Sequence, residues 1–203
     1  MNEAKSIKAF IFDLDGTLVT SDIDFAELQN EIGCDVGGDV LRYAASQKDE
    51  YESARIMSVI EKFELNDAEQ SQLIDGALRF VSRLQNTGFP LAVVTRNFRA
   101  AASRKIARAQ LPIPTEWLVT REDAPPKPAP DALLMLATKW QLLPHEVAYV
   151  GDYHFDVDAA LNASMVSCLR LNEYSRGTEY AERAHYCFES YDQFMDDFFD
   201  NRH

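Results

Sequence analysis

Asp13 and Asp15 stand two residues apart where an apolar run, Ile7 to Phe12, gives way to Gly16-Thr17. In an extended chain, residues i and i+2 point the same way. Two convergent carboxylates suit a divalent metal, or a nucleophile beside an acid/base. Gly16 lets the backbone turn sharply straight after them. On its own the pair reads first as an acidic turn, because Asp and Gly are common turn residues. Other chemistry-bearing residues recur after later apolar runs. Thr95, followed by Arg96 and Asn97, ends Pro90–Val94. Lys127 lies in the proline-rich stretch 121–130. Asp152 follows Val147-Ala148-Tyr149-Val150-Gly151, and Asp156 comes four residues later.

The elements around these residues alternate. Strands are expected at Ile7–Asp13, Pro90–Thr95, Trp117–Thr120, Val147–Val150, Val166–Leu171 and His185–Phe188. Helices are expected at Ala77–Asn86, 97–110, Asp131–Leu142, 156–163 and Tyr191–Phe199. Gly88 is placed to cap the first of these. Continuous apolar strands suggest burial on both faces. Strands alternating with helices mean βαβ units and a parallel sheet. Between Asp22 and Asp75 the strand runs vanish and helical periodicity takes over, as in Ile56, Val59, Ile60 and Phe63. Three or four helices are expected there, with Gly33, Gly37-Gly38 and Asn66-Asp67 as stops and starts. The fold class is α/β, a Rossmann-like doubly wound parallel core with an inserted helical unit. The expected division is 1–18 and 77–203 for the core and 19–76 for the insertion.

A parallel sheet sends its strand ends to one edge, where ligands bind. Asp13, Asp15, Thr95, Lys127, Asp152 and Asp156 would converge there. Bare carboxylates repel one another and raise each other's pKa. A hard dication resolves that conflict, and Mg²⁺ takes one or two carboxylates, waters and a substrate phosphate. A lysine and a hydroxyl beside it suit a transferring phosphoryl group.

In that order and spacing, Asp13-Leu14-Asp15-Gly16-Thr17-Leu18, Thr95, Lys127 and Gly151-Asp152-Tyr153-His154-Phe155-Asp156 resemble the four motifs of the haloacid dehalogenase superfamily. The helical insertion resembles the small cap of its phosphoglycolate phosphatase-like branch. The resemblance implies phosphomonoesterase or phosphomutase activity on a small phosphorylated metabolite. It makes Asp13 the nucleophile that forms an aspartyl-phosphate and Asp15 the acid/base. It gives Mg²⁺ to Asp13, the Asp15 carbonyl and Asp152, with Asp156 a ligand through water or a brace. Thr95 and the Arg96 amide would bind phosphoryl oxygens. Lys127 would neutralise phosphoryl charge and orient Asp13. Haloalkanoate dehalogenases of the family generally lack an aspartate at the Asp15 position, so its presence favours phosphoryl chemistry.

Thr95 also suits a helix N-cap, and Arg96, Asn97 and Arg121 suit either the substrate or the cap interface. His154 reads as an exposed loop residue, and His145, His185 and His203 carry no signal. The insertion is expected to act as a lid hinged at 17–24 and at Asp75-Gly76. Asp24, Arg42, Lys48 and Arg55 are candidates for substrate contact without any assignment. A phosphosugar mutase on the same core is the alternative activity. A regulatory protein on a lapsed phosphatase fold is the alternative of another class.

Composition narrows the partners. The 203 residues carry a net charge of −13, which disfavours nucleic acid. Hydrophobic residues make up 46% of the chain, enough to bury a substantial core. Cys34, Cys168 and Cys187 are odd in number and lack a CxxC, which fits a reducing compartment. Cys168 and Cys187 read as small core residues. Met1–Lys5 lead straight into strand-like residues, so no signal peptide and no membrane span are expected. The expectation is a cytoplasmic protein, a monomer or homodimer.

Overall fold

The computed structural model describes residues 6–200. Expectations for 1–5, for 201–202 and for His203 fall outside the described residues. Six strands form one parallel sheet in the order β3-β2-β1-β4-β5-β6. They are β1 (Ala9–Phe12), β2 (Leu91–Val94), β3 (Leu118–Val119), β4 (Val147–Gly151), β5 (Val166–Arg170) and β6 (Tyr186–Phe188). This is the doubly wound order that reverses direction beside β1. β1 pairs with both β2 and β4, Ile11 lying opposite Ala92 and Tyr149.

Three helices separate β1 from β2's own crossover helix. They are α1 (Phe25–Ile32), α2 (Val40–Ala45) and α3 (Glu50–Gln70). The remaining helices are α4 (Ala77–Asn86), α5 (Arg99–Arg108), α6 (Asp131–Trp140), α7 (His154–Asn162), α8 (Glu179–Arg183) and α9 (Tyr191–Asp200).

Alternation along β1 builds two cores. Phe10 and Phe12 point to the face covered by α4, α5 and α9. Ala9 and Ile11 point to the face covered by α6 and α7. The Phe10 ring meets Phe80, Phe89 and Phe198 edge-on, at 5.7, 5.6 and 5.0 Å. Truncating so enclosed a ring to alanine costs roughly 3–5 kcal/mol. The inserted helices have a separate small core of Leu28, Ile32, Leu41, Ile56 and Ile60.

Several expected bounds are corrected. β1 and β2 stop before Asp13 and Thr95, and β3 is two residues long. α5 starts at Arg99, not Asn97, because Asn97 spends its amide on the Thr95 hydroxyl. α7 begins at His154, so that residue is not on a loop. It is half-buried, its ring 4.0 Å from that of Phe155. Cys187 is half-buried where a core position was expected. α8 had no sequence expectation. Asn66-Asp67 is not a break: α3 runs straight through it. Its buried stripe reads Ile56, Ile60, Glu64, Asp67 and Ala68, apolar at the start and acidic at the end. Those acids pair with buried cations of the core, Glu64 with Arg121 and Asp67 with Lys105.

Candidate active site

The Asp13 amide donates to the Val150 carbonyl at 2.8 Å. Sheet pairing thus continues one residue past β1 and delivers Asp13 to the edge between β1 and β4. Asp13 is buried there, 7% exposed. The Lys127 ammonium, 3% exposed, donates to Asp13 Oδ1 and, at 2.6 Å, to Asp156 Oδ1. Asp156 Oδ1 also accepts the Tyr149 hydroxyl at 2.9 Å. Its Oδ2 accepts the amides of Asp152 and Tyr153, at 3.2 and 3.0 Å. Asp152 Oδ2 accepts the Asn172 amide at 2.9 Å.

Two glycines make this crowding possible. A Cβ on Gly16, where φ is +71°, would lie 2.2 Å from Asp152 Oδ2. A Cβ on Gly151 would lie 2.2 Å from the Cβ of Asp156. Neither carboxylate could occupy its place beside a side chain.

Charge is unbalanced at this edge. Burial pushes Asp13 up to about 7, with Lys127 opposing and Asp156 and Asp15 adding repulsion. Asp152 is raised well above its ordinary value, by desolvation first and by Asp156 and Asp13 next. Its surface is half-exposed, but neighbouring atoms enclose the carboxylate. Burial lowers Lys127, yet Asp13 and Asp156 outweigh it and the net shift is upward. Asp13, Asp152 and Asp156 each bring one ligand oxygen within 4.8 Å of the others. Three carboxylates against one ammonium form a donor set that fits a hard dication.

A second network adjoins the first. Asp15 Oδ2 accepts the Asn97 side-chain amide, and Asp15 Oδ1 accepts the Lys105 ammonium. Asn97 also donates to the Thr95 hydroxyl at 3.2 Å, which links Thr95 to Asp15. Lys105, fully buried on α5, donates as well to Asp67 on α3. The Arg96 guanidinium donates to the Lys127 carbonyl and to Asp39, the N-cap of α2. It lies over the Phe155 ring at 4.0 Å. Arg121 pairs with Glu64 of α3 at 2.6 Å, and Glu64 also accepts the Phe98 amide at 3.0 Å.

Asp13, Lys127, Asp152 and Asp156 therefore gather at one edge. Arg96 touches the Lys127 carbonyl, Asp15 lies near enough to repel Asp13, and Thr95 reaches Asp15 only through Asn97. The Arg96 and Arg121 side chains span to the inserted helices. Arg55 lies exposed with Glu52, and Asp24 caps α1. Sequence reasoning missed Lys105, Asn172, Tyr149, Asp39, Glu64 and Asp67. For Glu64 and Asp67 a signal existed, since acids stand where the helical stripe asks for apolar residues. For Lys105 none did, because one lysine in an Arg/Ala-rich helix looks solvated.

The haloacid dehalogenase-like hydrolases match residues 7–164. The chain belongs to this family, and it is an enzyme of the hydrolase class. It is 32% identical over 175 residues to an uncharacterized hydrolase of Saccharomyces cerevisiae, spanning 83% of this chain and 79% of that one. It is 30% identical over 161 residues to hexitol phosphatase A of Escherichia coli, spanning 71% and 74%. The structure of a predicted phosphoglycolate phosphatase from Haemophilus somnus superposes with a TM-score of 0.70 at 19% identity, covering 97% of this chain and 98% of that one. No helix among the described residues is long and apolar enough to cross a membrane.

Proposed function

We propose that the enzyme is a Mg²⁺-dependent phosphatase that hydrolyses a small phosphorylated metabolite through an aspartyl-phosphate. The reading is carried by Asp13, a buried carboxylate at the sheet's binding edge, held by Lys127 two residues from a second carboxylate. Asp13 attacks phosphorus and the ester P–O bond breaks. Asp15 gives a proton to the leaving oxygen. Water then attacks the phospho-aspartate, Asp15 takes its proton, and phosphate and Asp13 are released. Lys127 offsets charge on the phosphoryl oxygens and keeps Asp13 aimed. Thr95 and the Arg96 amide hold phosphoryl oxygens. Asp13, Asp152 and the Asp15 carbonyl would hold the metal, which when bound screens phosphoryl charge. Asp156 braces them, since each of its oxygens already accepts two hydrogen bonds.

Residues 19–76 form the lid. Its two linkers pair with each other, Thr20 N–H donating to the Gln72 carbonyl at 2.8 Å, which suits a hinge. A lid excludes water and bulky phosphoproteins. The hexitol phosphatase relative makes sugar and polyol phosphates the first substrates to try. Three widely spaced cysteines without a CxxC agree with a cytoplasmic setting.

The test is phosphate release across sugar phosphates, polyol phosphates, phosphoglycolate and nucleoside monophosphates with Mg²⁺. Asp13→Asn is expected to lose roughly 10³-fold or more. Full activity in Asp13→Asn ends the nucleophile assignment. Isomerised sugar phosphate in place of free phosphate makes the enzyme a mutase. Failure of wild type on the whole panel leaves the regulatory reading.

A further inference from the structure

We propose that Lys105 is a positioning residue for Asp15, itself held by Asp67 across the boundary between the core and the inserted helices. The inference rests on the phosphatase reading, in which Asp15 handles the proton. A proton-handling carboxylate works only in a narrow range of orientations. The Asp15 side chain is 25% exposed, so packing alone does not hold it. Its two oxygens accept from two different donors, Asn97 and Lys105. Asn97 sits on the turn before α5 and is itself tied to Thr95. Lys105 has a flexible stem and needs an anchor of its own. Asp67 provides one, at 2.5 Å. Asp67 is fixed in turn by the Asp22 amide at 2.7 Å and the Ser21 hydroxyl at 3.0 Å. One ammonium thus joins the acid/base residue, the core helix α5, the lid helix α3 and the first linker.

The position calls for an apolar residue if stability were the only demand. The neighbouring buried residues on α5 are Ala101, Ala102 and Ile106. Buried ion pairs add little stability over well-packed apolar residues of similar size. A lysine with no exposed surface here has a purpose beyond packing, and Asp15 is the one partner with chemistry to perform.

The test separates positioning from mere attachment of the lid. Lys105→Met strands Asp67 without its cation and destabilises the protein. The double variant Lys105→Met/Asp67→Asn removes both charges together and is expected to keep a melting temperature within a few degrees of wild type. Single-turnover rates are then measured on two substrates. On a hexitol phosphate, whose leaving alcohol needs a proton, the double variant is expected to lose at least about tenfold. On p-nitrophenyl phosphate, whose phenolate departs unprotonated, release of p-nitrophenol is expected to fall by less than about threefold. Lys105→Arg is expected to restore part of the hexitol phosphate rate. A double variant at the wild-type rate on both substrates overturns the inference and makes Lys105 structural. So does an equal loss on both substrates. A wild type that cleaves neither substrate removes the phosphatase reading and this inference with it, a result distinct from an active wild type beside an unimpaired variant.

Discussion

Among the described residues two lysines are almost fully enclosed, and each bridges two aspartates. Lys127 joins Asp13 to Asp156, and Lys105 joins Asp15 to Asp67. The first corner is built within the core, from one strand end, one loop and one helix start at the sheet's edge. Its three residues follow β1, precede α6 and open α7, and strand pairing sets where they arrive. The second corner is built by docking. Asp67 belongs to α3, and no strand holds it against α5. The lesson is that one fold makes two similar ion clusters with different dependence on its parts. The Lys127 corner is preorganised wherever the sheet forms. The Lys105 corner exists only while the inserted helices are seated.

The largest effect that would sharpen this contrast is Lys127→Met. It leaves Asp13 and Asp156 buried without their cation, which costs roughly 3–5 kcal/mol. Urea unfolding should register that loss, and phosphate release should vanish with it. Because the partners of Lys127 are themselves proposed site residues, Asp156→Asn should not restore activity. Should Lys127→Met prove as stable as wild type, the two corners lose their distinction.

Proton and metal should compete at the first corner. The folded pKa of Asp13, about 7, exceeds its ordinary value of 3.8, so the folded state holds the proton more tightly than the unfolded one. Through this group, the stability of metal-free protein is full below the ordinary value and declines as pH rises toward 7. Mg²⁺ should therefore raise the melting temperature more at pH 8 than at pH 5. An equal or reversed increment, read by calorimetry at both pH values, would remove the metal from this corner.

A smaller effect should mark the docked side. Arg96→Ala removes the contact to Asp39 and the stacking on Phe155, an expected loss of about 1 kcal/mol. Amide exchange should quicken at Leu41 and Arg42, whose N–H groups Asp39 caps, while β1 stays protected. Matching acceleration in β1 would mean that α2 and the sheet open as one unit. Least of all, Arg79→Ala breaks an exposed pair with Asp192 and should cost under about 1 kcal/mol by urea unfolding. A larger loss would show that surface pairs, and not the buried corners, hold the helices in place.

The Lys127 corner was legible in the chain because sheets transmit sequence order into space. A parallel strand with an acid just past its end can place that acid only at one edge. Four such ends, at Asp13, Thr95, Asp152 and the loop carrying Lys127, suffice to draw the site. The glycines were legible as turns but not as clearance. That Gly16 makes room for Asp152 appears only when residues 136 positions apart meet. Arg96 was read for its amide, and its side chain turned out to reach the inserted helices. Lys105 stayed hidden because the partners that justify its burial lie 90 and 38 residues away.

The alternation of strands and helices, the order of the sheet's chemistry-bearing ends and the carboxylate pair at Asp13 and Asp15 are written in the chain. Those follow from periodicity, turn residues and the one-sided delivery of parallel strands, all local or topological properties. What each carboxylate touches was set by packing in three dimensions. Asp156 is enclosed because Tyr149, Lys127 and two amides close around it. Asp67 became an anchor because α3 docks its acidic end on α5. Such roles depend on burial and charge at contact distance, and no stretch of chain encodes them alone.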